Sequence, residues 1–98
     1  MEKLGQVFLA ELIGTFVFLS VILGVVSRKD ELAWIKIGLT LAVAILFVGN
    51  VSGGKLNPAV SIMFFMAKQT SRHELIYEVS AQIIGALLAI GAYYVIFR

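Results

Sequence analysis

The sequence predicts an all-α membrane protein of three transmembrane helices and one re-entrant half-helix. Of its 98 residues 60% are hydrophobic and only 14% are charged, which is unusual for a soluble domain of this size. Residues 12–27, 37–54 and 79–97 contain no charge at all, and a membrane crossing takes roughly 20 mostly apolar residues. A fourth apolar stretch is too short to cross. We therefore expect an integral, multi-pass membrane protein in the lipid bilayer.

The same composition excludes several classes of function. The absence of cysteine excludes a disulfide framework, a thiolate metal site and a cysteine nucleophile. The single His73 cannot form a histidine cluster, so no metal and no cofactor is expected. The net charge of +2 comes from scattered residues rather than from a basic stripe, so nucleic acid is not an expected partner.

The three predicted spans cover about residues 7–26, 32–51 and 76–97. The first resembles a signal sequence in position but has no small-residue cleavage pattern, so we expect a retained signal anchor. The second begins with Trp34 and Lys36, whose side chains suit the lipid headgroup level. The third has tyrosines at both ends.

Between the second and third spans, residues 52–68 predict a short helix with a sharply defined start. Gly53 and Gly54 permit an irregular backbone. Asn57 is a good N-cap, and Pro58 fits the first helical position. Non-helical backbone at membrane depth is tolerated only where it is buried in protein or lines a water-filled cavity.

This half-helix is predicted over about residues 57–67, which at about 1.5 Å each reach roughly 16 Å, half the hydrocarbon thickness. A helix of that length is expected to begin near the bilayer midplane. The alternative is a surface helix capped by an Asn-Pro turn. Against it, residues 62–66 are apolar around the whole helix, whereas a surface helix would have a polar face.

Three stretches in a fixed order resemble one known family. They are AELIGTF over residues 10–16, SGGKLNPAV over residues 52–60, and Tyr77 followed by AQIIGA over residues 81–86. Together they resemble the N-terminal repeat of the major intrinsic protein family, the aquaporins and aquaglyceroporins. The resemblance extends along nearly the whole chain, so residues 1–98 are expected to form a single half-repeat.

The resemblance implies half of a fold made of two inverted repeats, whose two half-helices meet tip to tip at the midplane. Val60 after Asn57-Pro58-Ala59 matches the first repeat, because the second typically continues with a selectivity-filter arginine. The implied function is a membrane channel subunit for passive permeation of water or small neutral solutes such as glycerol. No covalent chemistry is needed, so no enzyme activity is expected.

The resemblance also implies which residues contact the permeating solute. The Asn57 amide donates a hydrogen bond, and backbone carbonyls before it accept. Ile37, twenty residues before Asn57, takes the position of a bulky filter wall, and Leu41 lies one turn later on the same face. The full candidate set is Gly53, Gly54, Lys55, Leu56, Asn57, Pro58, Ala59, Val60, Ile37 and Leu41.

Lys55 departs from the family pattern, in which histidine usually precedes Leu-Asn-Pro-Ala. Its ammonium is expected either to snorkel to the vestibule or to place a cation near the pore.

Other polar residues within the spans are expected to support the loop. In the family pattern Glu11 and Gln82 lie behind the re-entrant segment and hold its backbone N–H groups. A structural role for Glu11 is favoured over a transport role. The pairs Ala10/Gly14 and Gly85/Ala89 present small residues four apart, which suits close helix crossing.

One repeat cannot enclose a pore, so a second chain is expected to complete it. On the N-terminal side of the membrane lie Lys3, Lys55, Lys68 and Arg72; on the other side lie Arg28, Lys29, Lys36 and Arg98. This division of 4 against 4 fixes no orientation under the positive-inside rule. It favours an antiparallel homodimer, with assembly toward a tetramer of pores. The alternative is a truncated gene or a fragment whose other half is encoded elsewhere.

Two other functions stay open at this point. One is a small dual-topology exporter that couples transport to a proton carried by Glu11, although such a carrier does not need a re-entrant helix. The other is a non-conducting subunit that regulates or assembles with full-length channels.

Overall fold

A computed structural model describes residues 2–97 as four helices and, within that range, no strand. They are α1 (Glu2–Ser27), α2 (Ala33–Ser52), α3 (Pro58–Met66) and α4 (Arg72–Phe97). All but α3 are long and apolar enough to cross a membrane. The molecule measures 39 Å along its longest axis, close to the full thickness of a bilayer, about 40 Å. The predicted all-α fold class is confirmed.

Of the long helices, α1 and α4 begin earlier than the apolar segments that predicted them. α4 begins at Arg72 rather than near residue 76 because Ser71 and Glu74 form a capping box. The Glu74 N–H donates to Ser71 Oγ at 3.1 Å, and the Ser71 N–H donates to Glu74 Oε1 at 3.0 Å. Similarly, α1 begins at Glu2 rather than near residue 7. Hydropathy locates the lipid-facing part of a helix, whereas the cap locates its first turn.

α1 contacts both α2 and α4, and α3 packs against α4. The approach of α1 and α4 is closest at Gly85, where an added Cβ would lie 2.9 Å from the Leu12 carbonyl oxygen and 3.2 Å from the Phe16 nitrogen. Ala81 and Ala89, one turn to either side, are buried. Small residues on this face therefore let the two backbones nearly touch.

The other small pair of α1 packs toward α2 and the segment after it. Ala10 belongs to a small apolar core with Ala44, Val48 and Leu56. An added Cβ at Gly14 would lie only 2.7 Å from Leu56 Cδ2. Gly14 therefore makes room for a loop residue rather than only for a helix crossing.

Small apolar residues line much of the interior of the bundle, but its largest buried side chains are mostly polar. Apart from Val7, the largest fully buried side chains are Gln82, Glu11, Glu78, Thr15 and Ser61. Large apolar side chains, such as those of Leu46 and Phe47, point outward and are exposed. This arrangement reverses the usual pattern of a water-soluble domain, and it suits a chain whose outer surface contacts lipid or another apolar surface.

Candidate functional site

The connection between α2 and α3, residues 53–57, has an unusual backbone. Gly53, Gly54 and Leu56 have φ angles of 87°, 65° and 54°, in the left-handed region that favours glycine. Gly53 ends α2 by donating its N–H to the Gly49 carbonyl at 2.9 Å. Gly54 cannot be replaced freely, because an added Cβ would lie 3.1 Å from Ile45 Cα. Leu56 is not a glycine, so tertiary contacts must hold its conformation.

Those contacts come mainly from Glu11, whose side chain is fully buried. Its Oε1 accepts hydrogen bonds from the Leu56 N–H at 2.7 Å and from Gln82 Nε2 at 3.0 Å. Its Oε2 accepts from Ser52 Oγ at 2.6 Å and from the Lys55 N–H at 3.0 Å. An ionised carboxylate is acceptor-only and can take four such bonds. One side chain of α1 thus fixes two consecutive backbone N–H groups of the connection.

Ser52 and Gln82 extend this network on opposite sides of the carboxylate. Ser52 Oγ also accepts from the Gly54 N–H at 3.1 Å. Gln82 Nε2 donates to Ser61 Oγ at 2.9 Å as well as to Glu11. Turning the Gln82 amide around would bring its oxygen against the Glu11 carboxylate, so charge fixes its orientation. Contrary to the expectation from the resemblance, Gln82 holds Glu11 and Ser61 rather than the backbone N–H groups of the loop.

α3 begins at the predicted N-cap. Asn57 Oδ1 accepts from the Ala59 N–H at 2.8 Å, and the Asn57 carbonyl accepts from the Ser61 N–H at 3.0 Å. Pro58 occupies the first helical turn, where its missing N–H is not needed. Asn57, Pro58 and Ala59 are exposed, and Val60 is half-buried. Since the cap uses only Oδ1, the Asn57 NH₂ group has no acceptor among residues 2–97 and remains available to a solute.

The Lys55 side chain does not extend outward as a snorkelling lysine would. Its ammonium turns into the bundle and forms an ion pair with Glu78 of α4, with Nζ 2.9 Å from Oε2. The side chain is only 9% exposed, against 46% for Lys36. The ammonium therefore neither snorkels to the vestibule nor faces the exposed side of the connection.

A groove of about 350 Å³ opens between α1 and α4 at the tip of α3. Its lining includes Asn57, Pro58, Thr15 and Gln82, together with the apolar side chains of Phe18 and Ile83. Within residues 2–97, the buried Thr15 Oγ1 and Gln82 Oε1 have no hydrogen-bond partner. The groove thus combines a mostly apolar wall with the free Asn57 amide group.

The predicted filter positions lie on α2. Ile37 and Leu41 are both half-buried, and Leu41 packs against the small apolar core around Ala10. No cluster of three metal-ligating side chains (His, Cys, Asp or Glu) was found among the described residues.

Sequence analysis missed Ser61 and Glu78 and treated Ser52 only as the start of the connection. Glu78 had a signal that hydropathy concealed: it lies one helical turn before Gln82, on the same face of α4. Two polar residues four apart at the edge of an apolar helix indicate that this face of the helix has polar partners in the bundle. Ser61 has no comparable signal, because a single serine in a short helix is common.

The chain is similar to known proteins over nearly its whole length. The family model described as Major intrinsic protein matches residues 2–98. A relative, Glycerol uptake facilitator protein-like 6 of Lactiplantibacillus plantarum, is 38% identical over 88 residues, covering 87% of this chain and 41% of the relative. Aquaporin Z of Photorhabdus laumondii is 34% identical over 96 residues, covering 89% of this chain and 42% of the relative.

Aquaporin AqpM of Methanothermobacter marburgensis is 37% identical over 97 residues, covering 90% of this chain and 39% of the relative. No solved structure matches the chain significantly. The chain thus spans about two fifths of the length of these relatives.

Proposed function

Because the chain belongs to the Major intrinsic protein family, we propose that it is a channel subunit through which water and small neutral solutes such as glycerol permeate passively. It is an integral multi-pass membrane protein with three apolar helices of spanning length. Permeation makes and breaks no covalent bond, so no catalytic group is assigned. The path is proposed to follow residues 53–57, where α3 begins.

The observation that supports this proposal best is the hydrogen bonding of the Asn57 side chain. Its oxygen caps α3 through the Ala59 N–H at 2.8 Å, which leaves the NH₂ group to donate to a passing oxygen. Carbonyl groups of the connection before it supply acceptors, so a hydroxylated solute meets both kinds of partner. The start of α3 has partial positive charge, which disfavours cations at the same point. Such a site suits neutral molecules.

Asn57→Asp tests this directly. Aspartate is also a good N-cap, so α3 should still form, but the amide donor is replaced by a carboxylate. We expect water and glycerol flux into proteoliposomes to fall by about tenfold or more, the equivalent of roughly 1.4 kcal/mol. The matched control is Gln69→Glu, the same chemical change at an exposed position after α3. Unchanged flux in Asn57→Asp, at equal protein content, would contradict the pore assignment.

We further propose that a second, antiparallel copy of the chain completes the pore. The tip of α3 is exposed beside the groove between α1 and α4. Alone in a bilayer it would present the polar start of α3 to lipid, which is costly. The chain also spans only about two fifths of its relatives. A two-fold related copy would supply the second half-helix that the family resemblance implies.

The distribution of positive charge supports this arrangement. Lys55 is withdrawn into the bundle, so it no longer counts as a loop charge. The balance of lysine and arginine across the membrane changes from 4 against 4 to 3 against 4. So small a difference leaves orientation weakly biased, as a dual-topology protein requires.

Topology reporters test the dimer. A reporter fused after Arg98 should be detected on both sides of the membrane. Two lysines added beside Lys3 should force one orientation and abolish flux. Co-expression with a variant that has two lysines added near Arg28, and therefore inserts the other way, should restore it. A wild-type chain found in one orientation that still conducts when purified alone would contradict the antiparallel dimer.

The same purified protein separates the remaining functions. If the chain conducts only after addition of a separately encoded half or a full-length channel, it is a fragment or an accessory subunit. A proton-coupled exporter would instead require a pH gradient. The four hydrogen bonds accepted by Glu11 favour its structural role, because a proton bound to either oxygen would have to displace one of these donors.

A further inference from the structure

The Lys55 ammonium binds three parts of the molecule at once. It forms the ion pair with Glu78 Oε2 of α4 at 2.9 Å. It donates to the Ser52 carbonyl, at the C-terminal end of α2, at 2.9 Å, where the helix dipole favours a cation. It also lies 5.6 Å from the centre of the Phe64 ring of α3, within range of a cation–π contact.

This ammonium lies directly behind the exposed side of the connection. Gly53 is exposed, and an added Cβ there would lie 3.2 Å from Lys55 Nζ. Only a glycine backbone therefore separates the charge from the side along which permeation is proposed. The Lys55 ammonium thus lies near the proposed permeation path, but its ion pair with Glu78 keeps it inside the bundle.

Stability alone does not account for this pair. Burying two charges costs about as much as their attraction returns, and apolar residues of similar size are often at least as stabilising. Glu78 is 1% exposed at its side chain, and its second oxygen, Oε1, has no hydrogen-bond partner among the described residues. The carboxylate is thus used for a single contact, the one that retains Lys55.

We infer that Glu78 is a positioning residue that retains the Lys55 ammonium inside the wall of the pore, so that the mouth beside Gly53 stays uncharged and open. The inference rests on the proposed channel function. Without its counter-charge, the ammonium is driven to water by the cost of burying an unpaired charge. The flexible lysine stem lets it swing past Gly53 into the mouth. There it narrows the path and competes for the carbonyl groups that solutes use.

The first test follows the position of the ammonium without measuring transport. Proteoliposomes are treated on both sides with a water-soluble, amine-reactive ester, and the extent of labelling at each lysine is read by peptide mass spectrometry. Lys68, which is exposed at the end of α3, is the internal reference. In the wild type, Lys55 should be labelled at least about tenfold more slowly than Lys68, since a buried, ion-paired ammonium is not reached. In Glu78→Gln the two rates should converge.

The second test measures flux in matched variants. Glu78→Gln should lower water and glycerol flux, and Glu78→Asp, which keeps the charge, should lower it less. The double variant Lys55→Met/Glu78→Gln should recover most of the flux, since no ammonium is left to release. Methionine is similar in length to lysine and can still pack on the Phe64 ring. If Glu78 only stabilised the fold, the double variant would conduct no better than Glu78→Gln.

The outcomes separate this inference from the proposed function. Rapid labelling of wild-type Lys55, or a double variant as poor as Glu78→Gln, would overturn the inference while leaving a conducting channel. A wild-type chain that conducts nothing under any pairing would overturn the proposed function and the role of the mouth. The labelling pattern would then still decide whether Glu78 retains Lys55.

Discussion

The connections before and after α2 are each organised by one carboxylate, but they differ in where its partners come from. In the first, residues 28–32, Asp30 accepts from the Leu32 N–H at 2.8 Å and pairs with Lys36. In the second, residues 53–57, Glu11 accepts from groups that lie 41 to 71 residues away in sequence. The Asp30 carboxylate lies at the surface, whereas the Glu11 carboxylate is buried.

The difference shows which kind of turn a short membrane protein can form locally. The Asp30 partners lie two and six residues away, so this turn needs only α2 beside it. The Glu11 network needs α1, the end of α2 and α4 in place together. Water can replace the bonds of the first connection, but in an apolar interior nothing can replace those of the second. The following predictions begin with the largest expected effect.

Glu11→Gln should cause the largest loss of stability. An amide has one acceptor oxygen, so its NH₂ group must face either the Leu56 N–H and Gln82 or Ser52 and the Lys55 N–H. Each buried donor left without an acceptor costs about 1–3 kcal/mol. We expect a loss on the order of 3 kcal/mol, measured as a lower SDS concentration at the midpoint of unfolding in mild detergent.

Glu11→Asp is the matched control, because it keeps the charge and loses only one methylene. Its loss should be smaller than that of Glu11→Gln. A stable Glu11→Gln protein that had lost only proton-dependent transport would contradict the structural role and favour the exporter.

Gly14→Ala and Gly24→Ala compare the two connections from the same helix. A Cβ at Gly14 would lie 2.7 Å from the buried Leu56 side chain in the connection after α2, whereas one at Gly24 would lie 3.8 Å from Arg28 in the connection before α2. Crowding at Leu56 should cost about 1–3 kcal/mol, although the contact is with the end of a flexible side chain. Gly24→Ala should leave thermal stability unchanged or slightly raised, since alanine favours the helix. Equal losses of thermal stability in Gly14→Ala and Gly24→Ala would contradict the proposed difference between the two connections.

Asp30→Asn should have the smallest effect, and its size should depend on pH. The hydrogen bond from Lys36, aided by the Leu32 N–H, lowers the pKa of the Asp30 carboxyl from its ordinary value. Its contribution to stability is therefore present above about pH 3.9 and is lost as the pH falls through the lower folded-state pKa. The unfolding midpoints of wild type and Asp30→Asn should differ slightly at neutral pH and converge in acid. A gap that widened in acid would contradict this account.

Features that depend on partners nearby in sequence could be predicted from the sequence, whereas features that depend on distant partners could not. The N-cap at Asn57 and the helix start at Pro58 depend on neighbouring residues, and the structure has both. The ion pair of Lys55 could not be predicted, because Glu78 lies 23 residues away, at the start of the third predicted span, and nothing local connects the two residues. The role of Gln82 was wrong in detail for the same reason. Its partner Ser61 becomes a neighbour only when α3 packs against α4.

The placement of these groups also sets an order of events while the chain is being made. Ser52, Lys55 and Leu56 can bind Glu11 once the chain has entered the membrane as far as Leu56, but Gln82 and Glu78 arrive with α4. At about 5–20 residues per second, the 26 residues from Leu56 to Gln82 take about 1–5 s to synthesise. During that interval the nascent bundle has a lysine charge without its counter-ion, and insertion of α4 neutralises it. α4 therefore brings the counter-charge of Lys55 as well as packing against α1.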